Sequence, residues 1–239
     1  MPESLDLKHP WQAYWQADEF WTDSALWKEN ARIFTEKLQA FVNLSPQDEV
    51  LDIGCGPGHA LKFLAPRVGR IQALDPAPRF VERCRELNKN FDNVSAAVLE
   101  DTDFARFGKF SLFLCVSVVQ YYRSPSEVVS LIRSAAQAAK PGARLLIADI
   151  PVREKRAFGS AGLLVRALRY GFLGALVSSA LRLAFQPGRY RLFAKENPEL
   201  SFTAGELQDL LRQSGFEGRV LTESFSIHPE RLSLWVEFP

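Results

Sequence analysis

The stretch E-V-L-D-I-G-C-G-P-G-H at residues 49–59 decides the fold of this chain of 239 residues. Its first half, Glu49 to Ile53, is apolar in the manner of a strand buried in a parallel sheet, and Asp52 lies near its end. A tight turn follows, with glycines at positions 54, 56 and 58, and a helix is predicted from His59 to Pro66. A strand, a glycine turn and a helix N-terminus together predict a nucleotide-sized cradle at the carboxyl end of a parallel sheet.

The spacing of the glycines indicates which nucleotide the cradle suits. A dinucleotide-binding loop has the pattern G-x-G-x-x-G, which would place its third glycine at position 59. That position is His59, and the third glycine comes one residue earlier, at Gly58. The resulting pattern, D-x-G-x-G-x-G, resembles motif I of the class I methyltransferases that use S-adenosylmethionine. An ordinary strand-to-helix turn is the alternative that the loop alone leaves open.

A carboxylate downstream favours the methyltransferase interpretation. Residues 70–74 are predicted to form a second strand that ends in Asp75, one strand–helix–strand unit beyond Asp52. A carboxylate in this place can accept two hydrogen bonds from a ribose diol. The alternative is a capping role at the helix that begins after Pro76.

The rest of the chain alternates predicted strands and helices, which is typical of an α/β fold. Strands are expected at 93–99, 110–119, 144–150, 218–226 and 231–238, and helices at 78–88, 124–139 and 203–215. Two capping boxes, at Ser124 and Thr203, begin the last two helices. The phrase A-K-P-G-A-R-L-L-I-A-D resembles the family's helix–turn–strand before its fifth strand. The resemblance implies the Rossmann-like class I methyltransferase fold, with a seven-stranded, mostly parallel sheet in the order 3-2-1-4-5-7-6 and strand 7 antiparallel.

The resemblance covers residues 45–150 well and 201–239 in outline. We expect residues 1–44 to form an N-terminal helical lid and 45–239 to form the methyltransferase domain, with a helical cap insertion at 151–200.

The N-terminal segment repeats aromatic residues at helical spacing, Trp11, Tyr14 and Trp15 among them, which predicts helices at about 10–21 and 24–42. These side chains either pack against the sheet edge or cover the cofactor and line the substrate pocket.

Roles for individual residues follow from the resemblance. Asp52 and the backbone of the glycine turn hold the methionine part of S-adenosylmethionine, and Asp75 holds its ribose. The adenine amino group is expected to meet Asp101, with Glu100 or a solvated loop carboxylate as the alternatives. The predicted cofactor-binding set also includes residues of the turn and of neighbouring strand ends: Gly54, Cys55, Gly56, Gly58, His59, Pro76, Thr102, Ser117 and Val118.

The catalytic candidates are few, because methyl transfer from a sulfonium requires mainly alignment and exclusion of water. A general base is needed only where the acceptor must lose a proton. Tyr121 and Tyr122 follow the fourth strand and Asp149 ends the fifth, with aromatic packing and a turn role as the respective alternatives. His59 is interpreted as a packing or cofactor contact, and His228 as a surface residue between the last two strands.

Composition narrows the class of protein. The chain has 29 Lys and Arg against 28 Asp and Glu, so net charge indicates no particular partner. Three scattered cysteines predict neither a disulfide framework nor a zinc site, and no metal is expected. The first residues contain no apolar run of the signal-peptide kind, which predicts a cytoplasmic location.

Positive charge is concentrated in residues 152–195, where nine Lys and Arg accompany a single acidic residue, Glu154. The same segment is strongly apolar, which predicts one or two amphipathic helices. This combination suits an anionic membrane surface or an anionic, lipophilic substrate, and it suits nucleic acid less well. A cap that simply packs on the domain is the alternative.

We therefore expect an S-adenosylmethionine-dependent methyltransferase with a small-molecule acceptor. Two other hypotheses stay open at this point. One is a non-catalytic protein of the same fold that binds the cofactor as a sensor or subunit. The other is a peripheral membrane enzyme that acts on a lipid or a quinone-like acceptor. The sequence sets neither the acceptor nor the oligomeric state.

Overall fold

The computed structural model describes residues 10–17, 24–153, 159–185 and 189–239. Its helices are α1 Pro10–Ala17, α2 Ala25–Phe41, α3 Leu61–Leu64, α4 Pro78–Asn88, α5 Ser126–Gln137, α6 Gly159–Tyr170, α7 Leu173–Phe185, α8 Arg189–Glu196 and α9 Ala204–Ser214. Its strands are β1 Glu49–Ile53, β2 Arg70–Asp75, β3 Val94–Val98, β4 Phe110–Val116, β5 Ala139–Pro151, β6 Glu217–Leu221 and β7 Arg231–Glu237.

The described strands form a sheet in the order β3-β2-β1-β4-β5-β7-β6, which confirms the predicted topology. Strands β1 to β5 are parallel, whereas β7 is antiparallel to both β5 and β6. The strand order reverses between β1 and β4, and a crevice forms at such a point because the two connections leave in opposite directions. The carboxyl ends of β1, β2, β4 and β5 therefore meet at one edge of the sheet.

Both faces of the sheet are covered by helices. Leu51 and Ile53 pack in a core shared with α5 and α9, while Val50 faces a second core shared with α2, α3 and α4. This alternation along β1 follows from the pleat, which directs successive side chains to opposite faces. A smaller cluster that includes Ile33 and Phe172 joins α2 to α6 and α7.

Three elements near the site differ from prediction. The helix expected at 59–66 is reduced to α3 and a 3-10 turn at Ala65–Arg67, because Pro66 removes a backbone donor. The fourth strand ends at Val116 rather than at residue 119, because Ser117 adopts a left-handed backbone with a φ of 59°. The strand expected at 218–226 ends at Leu221.

The capping boxes give a mixed result. Thr203 and Glu206 form the reciprocal contacts of a capping box at α9, as predicted. At α5 only half of the motif forms. The Glu127 carboxylate accepts the Ser124 N–H at 3.0 Å, but the Ser124 hydroxyl contacts Ser126 instead.

The insertion after β5 contains three described helices, α6 to α8, where one or two were expected. Gly171, with a φ of 74°, separates α6 from α7. Within the described ranges, no helix is both long enough and apolar enough to cross a membrane. The last part of the helix expected at 10–21 lies outside the described residues. The boundaries of the lid at 1–44 and of the cap at 151–200 stay predictions.

Gly58 lets α4 approach the turn after β1. A Cβ atom at this position would lie 2.5 Å from the Cys84 sulfur and 2.8 Å from the Asn88 side-chain nitrogen. The same Asn88 nitrogen donates a hydrogen bond to the Gly58 carbonyl at 3.1 Å. The third glycine of the motif is therefore required by helix packing.

We expect Gly58→Ala to lower the free energy of unfolding by about 2–4 kcal/mol, because a left-handed backbone and an overpacked contact both become unfavourable. Gly142→Ala is a suitable control. Gly142 has a similar φ of 73°, and no described atom would lie within 4 Å of its Cβ. Urea unfolding measures both variants. Equal losses of stability would contradict the packing role of Gly58.

Candidate active site

A cavity of about 670 Å³ opens at the carboxyl ends of β1, β2, β4 and β5. The glycine turn and the segment after β2 line one end of it. Helices α1 and α2, the inner sides of α6 and α7, and the loop before β7 line the rest. The cavity thus joins the predicted cofactor cradle to the two segments that the family resemblance does not cover.

Asp75 joins the two turns at the cofactor end of the cavity. Its Oδ2 atom accepts a hydrogen bond from Gly56 N–H at 2.8 Å, and its Oδ1 atom accepts one from Ala77 N–H at 2.9 Å. The carboxylate therefore fixes the turn after β1 to the start of α4, and it also lines the cavity. Each carboxylate oxygen keeps a further lone pair, which is the capacity that a ribose diol would need.

Asp52 and Asp75 are both buried, with 7% and 6% of their surface exposed. Burial and, to a smaller extent, the nearby Asp75 together raise the pKa of Asp52 to about 7. Burial also raises the pKa of Asp75 to about 6, against the lowering effect of its two backbone hydrogen bonds. A positively charged ligand at this place would favour the ionised form of both groups.

The turn after β1 leaves space for a ligand against its backbone. The N–H groups of Gly54 and Cys55 donate to the Leu74 carbonyl at 2.7 and 3.0 Å, which holds the turn against β2. A Cβ atom added at Gly56 would have the Trp27 ring as its nearest neighbour, 4.0 Å away. A bare backbone beside two buried carboxyl groups fits an adenosyl sulfonium, so the residues present suit S-adenosylmethionine.

Aromatic side chains cover one side of the cavity. The Trp11 ring lies 4.8 Å from the Tyr121 ring and 4.9 Å from the Phe193 ring, measured between centroids. Trp15 lies 5.6 Å from Trp27 in the same way. All of these except Phe193 line the cavity. The N-terminal aromatic residues therefore pack on other aromatic side chains and line the cavity, while their role as a lid over the cofactor stays a prediction.

Two glutamines fix α1 over the start of α4. Gln12 donates from Nε2 to the Pro76 carbonyl at 2.8 Å, and the Gln16 side chain accepts the Arg79 N–H at 3.2 Å. The helix that covers the cavity is thus tied directly to the segment that carries Asp75.

The ends of β4 and β5 adopt an uncommon backbone conformation. Ser117 and Asp149 are the described residues other than glycine with positive φ, at 59° and 61°. The Ser117 hydroxyl donates to Asp149 Oδ2 at 2.5 Å, and Arg231 Nε lies 3.5 Å from Asp149 Oδ1. Such backbone strain costs about 1–3 kcal/mol and is concentrated at functional sites. The contacts with Ser117 and Arg231 hold the buried carboxylate of Asp149 beside the cavity.

Most of the residues predicted for the site line the cavity. They are Asp52, Gly54, Cys55, Gly56, His59, Asp75, Pro76, Ser117, Val118, Tyr121, Tyr122 and Asp149.

Three predicted residues lie elsewhere. Gly58 faces α4, and neither Asp101 nor Thr102 is among the residues that line the cavity. The Asp101 carboxylate is exposed and pairs with Arg106 at 2.9 Å. Its contact with adenine stays a prediction.

The sequence missed the polar end of the cavity. His228 was interpreted as a surface residue, which is wrong, because this residue lines the cavity together with Gln120, Ser179, Glu199 and Arg231. Burial lowers the pKa of His228. These five residues come from a 3-10 turn, α7, two loops and β7, so no local sequence signal connects them.

The comparison with known families agrees with this geometry. The chain matches a family model described as a methyltransferase domain over residues 26–221, and it belongs to that family. This confirms the class predicted from the glycine turn and Asp75, the class I S-adenosylmethionine-dependent methyltransferases.

Individual relatives are more distant. The chain is 28% identical over 173 residues to a demethylmenaquinone methyltransferase of Tropheryma whipplei, covering 71% of this chain and 66% of that protein. It is 31% identical over 135 residues to a chondramide synthase of Chondromyces crocatus, covering 54% of this chain and 4% of that protein. The chain thus spans less than two thirds of the length of either relative.

Solved structures share the fold. The structure of an N-methyltransferase from Bradyrhizobium japonicum WM9, in complex with S-adenosyl-l-homocysteine, superposes with a TM-score of 0.59. The alignment covers 98% of this chain and 100% of that one at 16% identity, so the similarity concerns the fold.

The two buried carboxyl groups predict that the ligand-free protein loses stability as the pH rises. The unshifted pKa is 3.8, whereas the folded values are about 7 and about 6, so the folded state retains protons that the unfolded chain releases. This contribution is therefore present below about pH 4 and lost as the pH rises through the folded values. The wild type should therefore lose stability over this pH range. We expect Asp52→Asn to lose at least about 1 kcal/mol less in free energy of unfolding than the wild type, or about 2–4 °C less in Tm.

Thermal unfolding between about pH 5 and pH 8 measures this effect. The exposed Asp209 on α9 provides the control, and Asp209→Asn should keep the pH dependence of the wild type. If Asp52→Asn keeps it as well, the burial account of Asp52 is contradicted.

Proposed function

We propose that the protein transfers a methyl group from S-adenosylmethionine to a small molecule with a largely apolar body. The proposal rests on one observation, the continuity of the cavity from the turn beside Asp75 to a compartment under α6 and α7. Apolar residues from four elements line that compartment: Leu26, Phe34, Leu163, Leu176 and Ile227. A relative named for demethylmenaquinone methylation agrees with an apolar acceptor.

The residues at the cofactor end of the cavity would hold different parts of S-adenosylmethionine. When bound, S-adenosylmethionine supplies an electrophilic methyl group on a sulfonium. Asp75 would hold the ribose, and Asp52 together with the backbone of the glycine turn and near Ser117 would hold the methionine part. The two buried carboxyl groups also favour a cationic sulfonium over the neutral thioether that remains after transfer.

The three catalytic candidates, Tyr121, Tyr122 and Asp149, have different surroundings, which favour different roles. Tyr121 packs on Trp11 and Trp15, which favours a role in the wall that excludes water. Burial raises the pKa of Tyr122 well above its usual value, so this phenol stays protonated at neutral pH. Asp149, oriented by its contact with the Ser117 hydroxyl, is the candidate best placed to contact the acceptor.

Binding of the demethylated cofactor, S-adenosylhomocysteine, tests this proposal. We expect isothermal titration to give a micromolar Kd, and Asp75→Asn to weaken binding at least tenfold, or about 1.4 kcal/mol, because one oxygen acceptor and the charge are lost. Asp101→Asn is the matched variant, because the family resemblance assigns Asp101 to the adenine whereas the structure places it outside the cavity lining. We expect this variant to change Kd by less than about twofold. No binding to the wild type would end the proposal.

A second candidate function, work at a membrane surface, is favoured by the outer side of the cap. Six apolar side chains of α6 and α7 are 38–64% exposed: Leu164, Val165, Leu168, Leu173, Val177 and Leu181. The same two helices line the cavity with Leu163 and Leu176 on their inner sides. Apolar side chains within a segment rich in Lys and Arg suit the headgroup region of an anionic membrane. A lipophilic acceptor could then reach the cavity from the lipid.

Flotation with anionic phospholipid vesicles at low salt tests the membrane candidate. We expect the wild type to float, and the double variant Val165→Glu, Leu168→Glu to lose at least about tenfold in partitioning, because charge replaces apolar contact. Leu87→Glu in α4 is the matched control, since Leu87 is also an exposed leucine but lies outside the cap. A wild type that stays at the bottom of the gradient would contradict this candidate, as would an equal loss in the control.

A further inference from the structure

The loop before β7 is held in place by its own serines. Ser224 donates from its hydroxyl to the His228 carbonyl at 2.5 Å, and the Ser226 hydroxyl accepts the His228 N–H at 3.1 Å. Both serines are buried, with 2% and 0% exposed. These contacts fix the backbone of His228 and leave its imidazole outside the network.

Two helices of the cavity wall hold the same loop. Arg166 of α6 donates from Nη1 to the Ser226 and His228 carbonyls at 3.0 and 2.9 Å. Asn30 of α2 accepts the Ile227 N–H at 2.8 Å through its side-chain oxygen. The position of His228 is therefore set by α2, by α6 and by the loop itself, which is the kind of support that a preorganised functional group needs.

His228 lines the cavity, and its ring interacts electrostatically with three other residues that line it, Asp149, Glu199 and Arg231. Every hydrogen bond between His228 and the described residues uses its backbone. Four charged groups act on the ring. Burial lowers the pKa of the ring most, Asp149 and Glu199 raise it, and Arg231 and Arg166 lower it further, so the net direction is downward. The ring is therefore neutral near neutral pH, and one of its nitrogens is available as an acceptor.

The same end of the cavity contains polar atoms that lack partners in the described part of the chain. Asp149 Oδ1 and Arg231 Nη1 are buried without a hydrogen bond there, although the two side chains form an ion pair. The hydroxyl of Ser179 on α7, a residue that is 3% exposed, likewise forms no hydrogen bond with the described residues. Unbonded buried polar groups are costly, so a ligand with one polar end would be favoured here.

We propose that His228 contacts the nucleophilic atom of the methyl acceptor and accepts its proton, and that the acceptor is therefore a hydroxyl or amine compound. This inference rests on the proposed methyltransferase function. The acceptor's oxygen or nitrogen forms its bond to the methyl carbon, and the electron pair of the broken carbon–sulfur bond goes to sulfur. The acceptor's proton passes to the ring nitrogen of His228 and then to water. Asp149 stabilises the imidazolium that forms in between.

Two histidines report separately on cofactor binding and on the proposed acceptor contact: His59 on the first and His228 on the second. Protein labelled with ¹³C at histidine Cε1 is titrated with S-adenosylhomocysteine, and the signals are assigned with histidine variants. His59 lines the cofactor end of the cavity, so its signal should shift on this addition. The saturated complex is then titrated with 2-naphthol or with naphthalene, which lacks the hydroxyl. We expect 2-naphthol to shift the His228 signal and to bind at least about tenfold more tightly than naphthalene.

Substitution of the histidine gives the control. His228→Leu should reduce the preference for 2-naphthol to less than about threefold, with the Kd of naphthalene and of S-adenosylhomocysteine unchanged, whereas His228→Gln should retain part of it through its side-chain oxygen. An unshifted His59 signal would contradict the methyltransferase proposal itself. A shifted His59 signal without a preference for 2-naphthol, or with a preference that survives in His228→Leu, would overturn the role of His228 alone.

Discussion

The carboxylate of Asp75 is the contact on which the site depends. It accepts the N–H groups of Gly56 and Ala77, and so it fixes the turn after β1 to the start of α4. Parallel pairing of β1 with β2 sets this arrangement, because the register places Ile53 opposite Leu74, one residue before Asp75. The same arrangement brings a second buried carboxyl group, Asp52, to the turn and raises the pKa of both groups. A cationic ligand relieves this unfavourable electrostatic state, which is why the cradle suits a sulfonium.

The two ends of the cavity have different structural origins. The cofactor end is made from the first two strands and their turns, the most regular part of the fold. The acceptor end is made from α6, α7, the loop before β7 and the end of β5, and it depends on contacts between elements that are distant in sequence. Arg166 is an example, since it crosses from α6 to the loop that carries His228. Binding of S-adenosylmethionine is therefore a property of the family fold, and under the proposed function the choice of acceptor belongs to α6, α7 and the late loops.

The sequence predicted what local patterns encode. Motif spacing indicated the glycine turn and Asp75, and the resemblance to the class I methyltransferases implied the sheet order. The structure places Asp75 beside the turn and confirms the order. The end of β4 was not predictable, because Ser117 takes its left-handed backbone beside Asp149, a contact with a residue 32 positions away. His228 was misjudged for the same reason, since only the folded chain shows which loop residues face the cavity. Gly58 was read as part of the cofactor cradle, whereas its constraint is the approach of α4.

A crystal structure with S-adenosylhomocysteine bound is the most direct test of this account. It should place both ribose hydroxyls within hydrogen-bond distance of the Asp75 carboxylate while the contacts from Gly56 and Ala77 persist. The thioether sulfur should face the compartment that contains Asp149 and His228. A ribose held elsewhere, or a sulfur that faces away from this compartment, would contradict it.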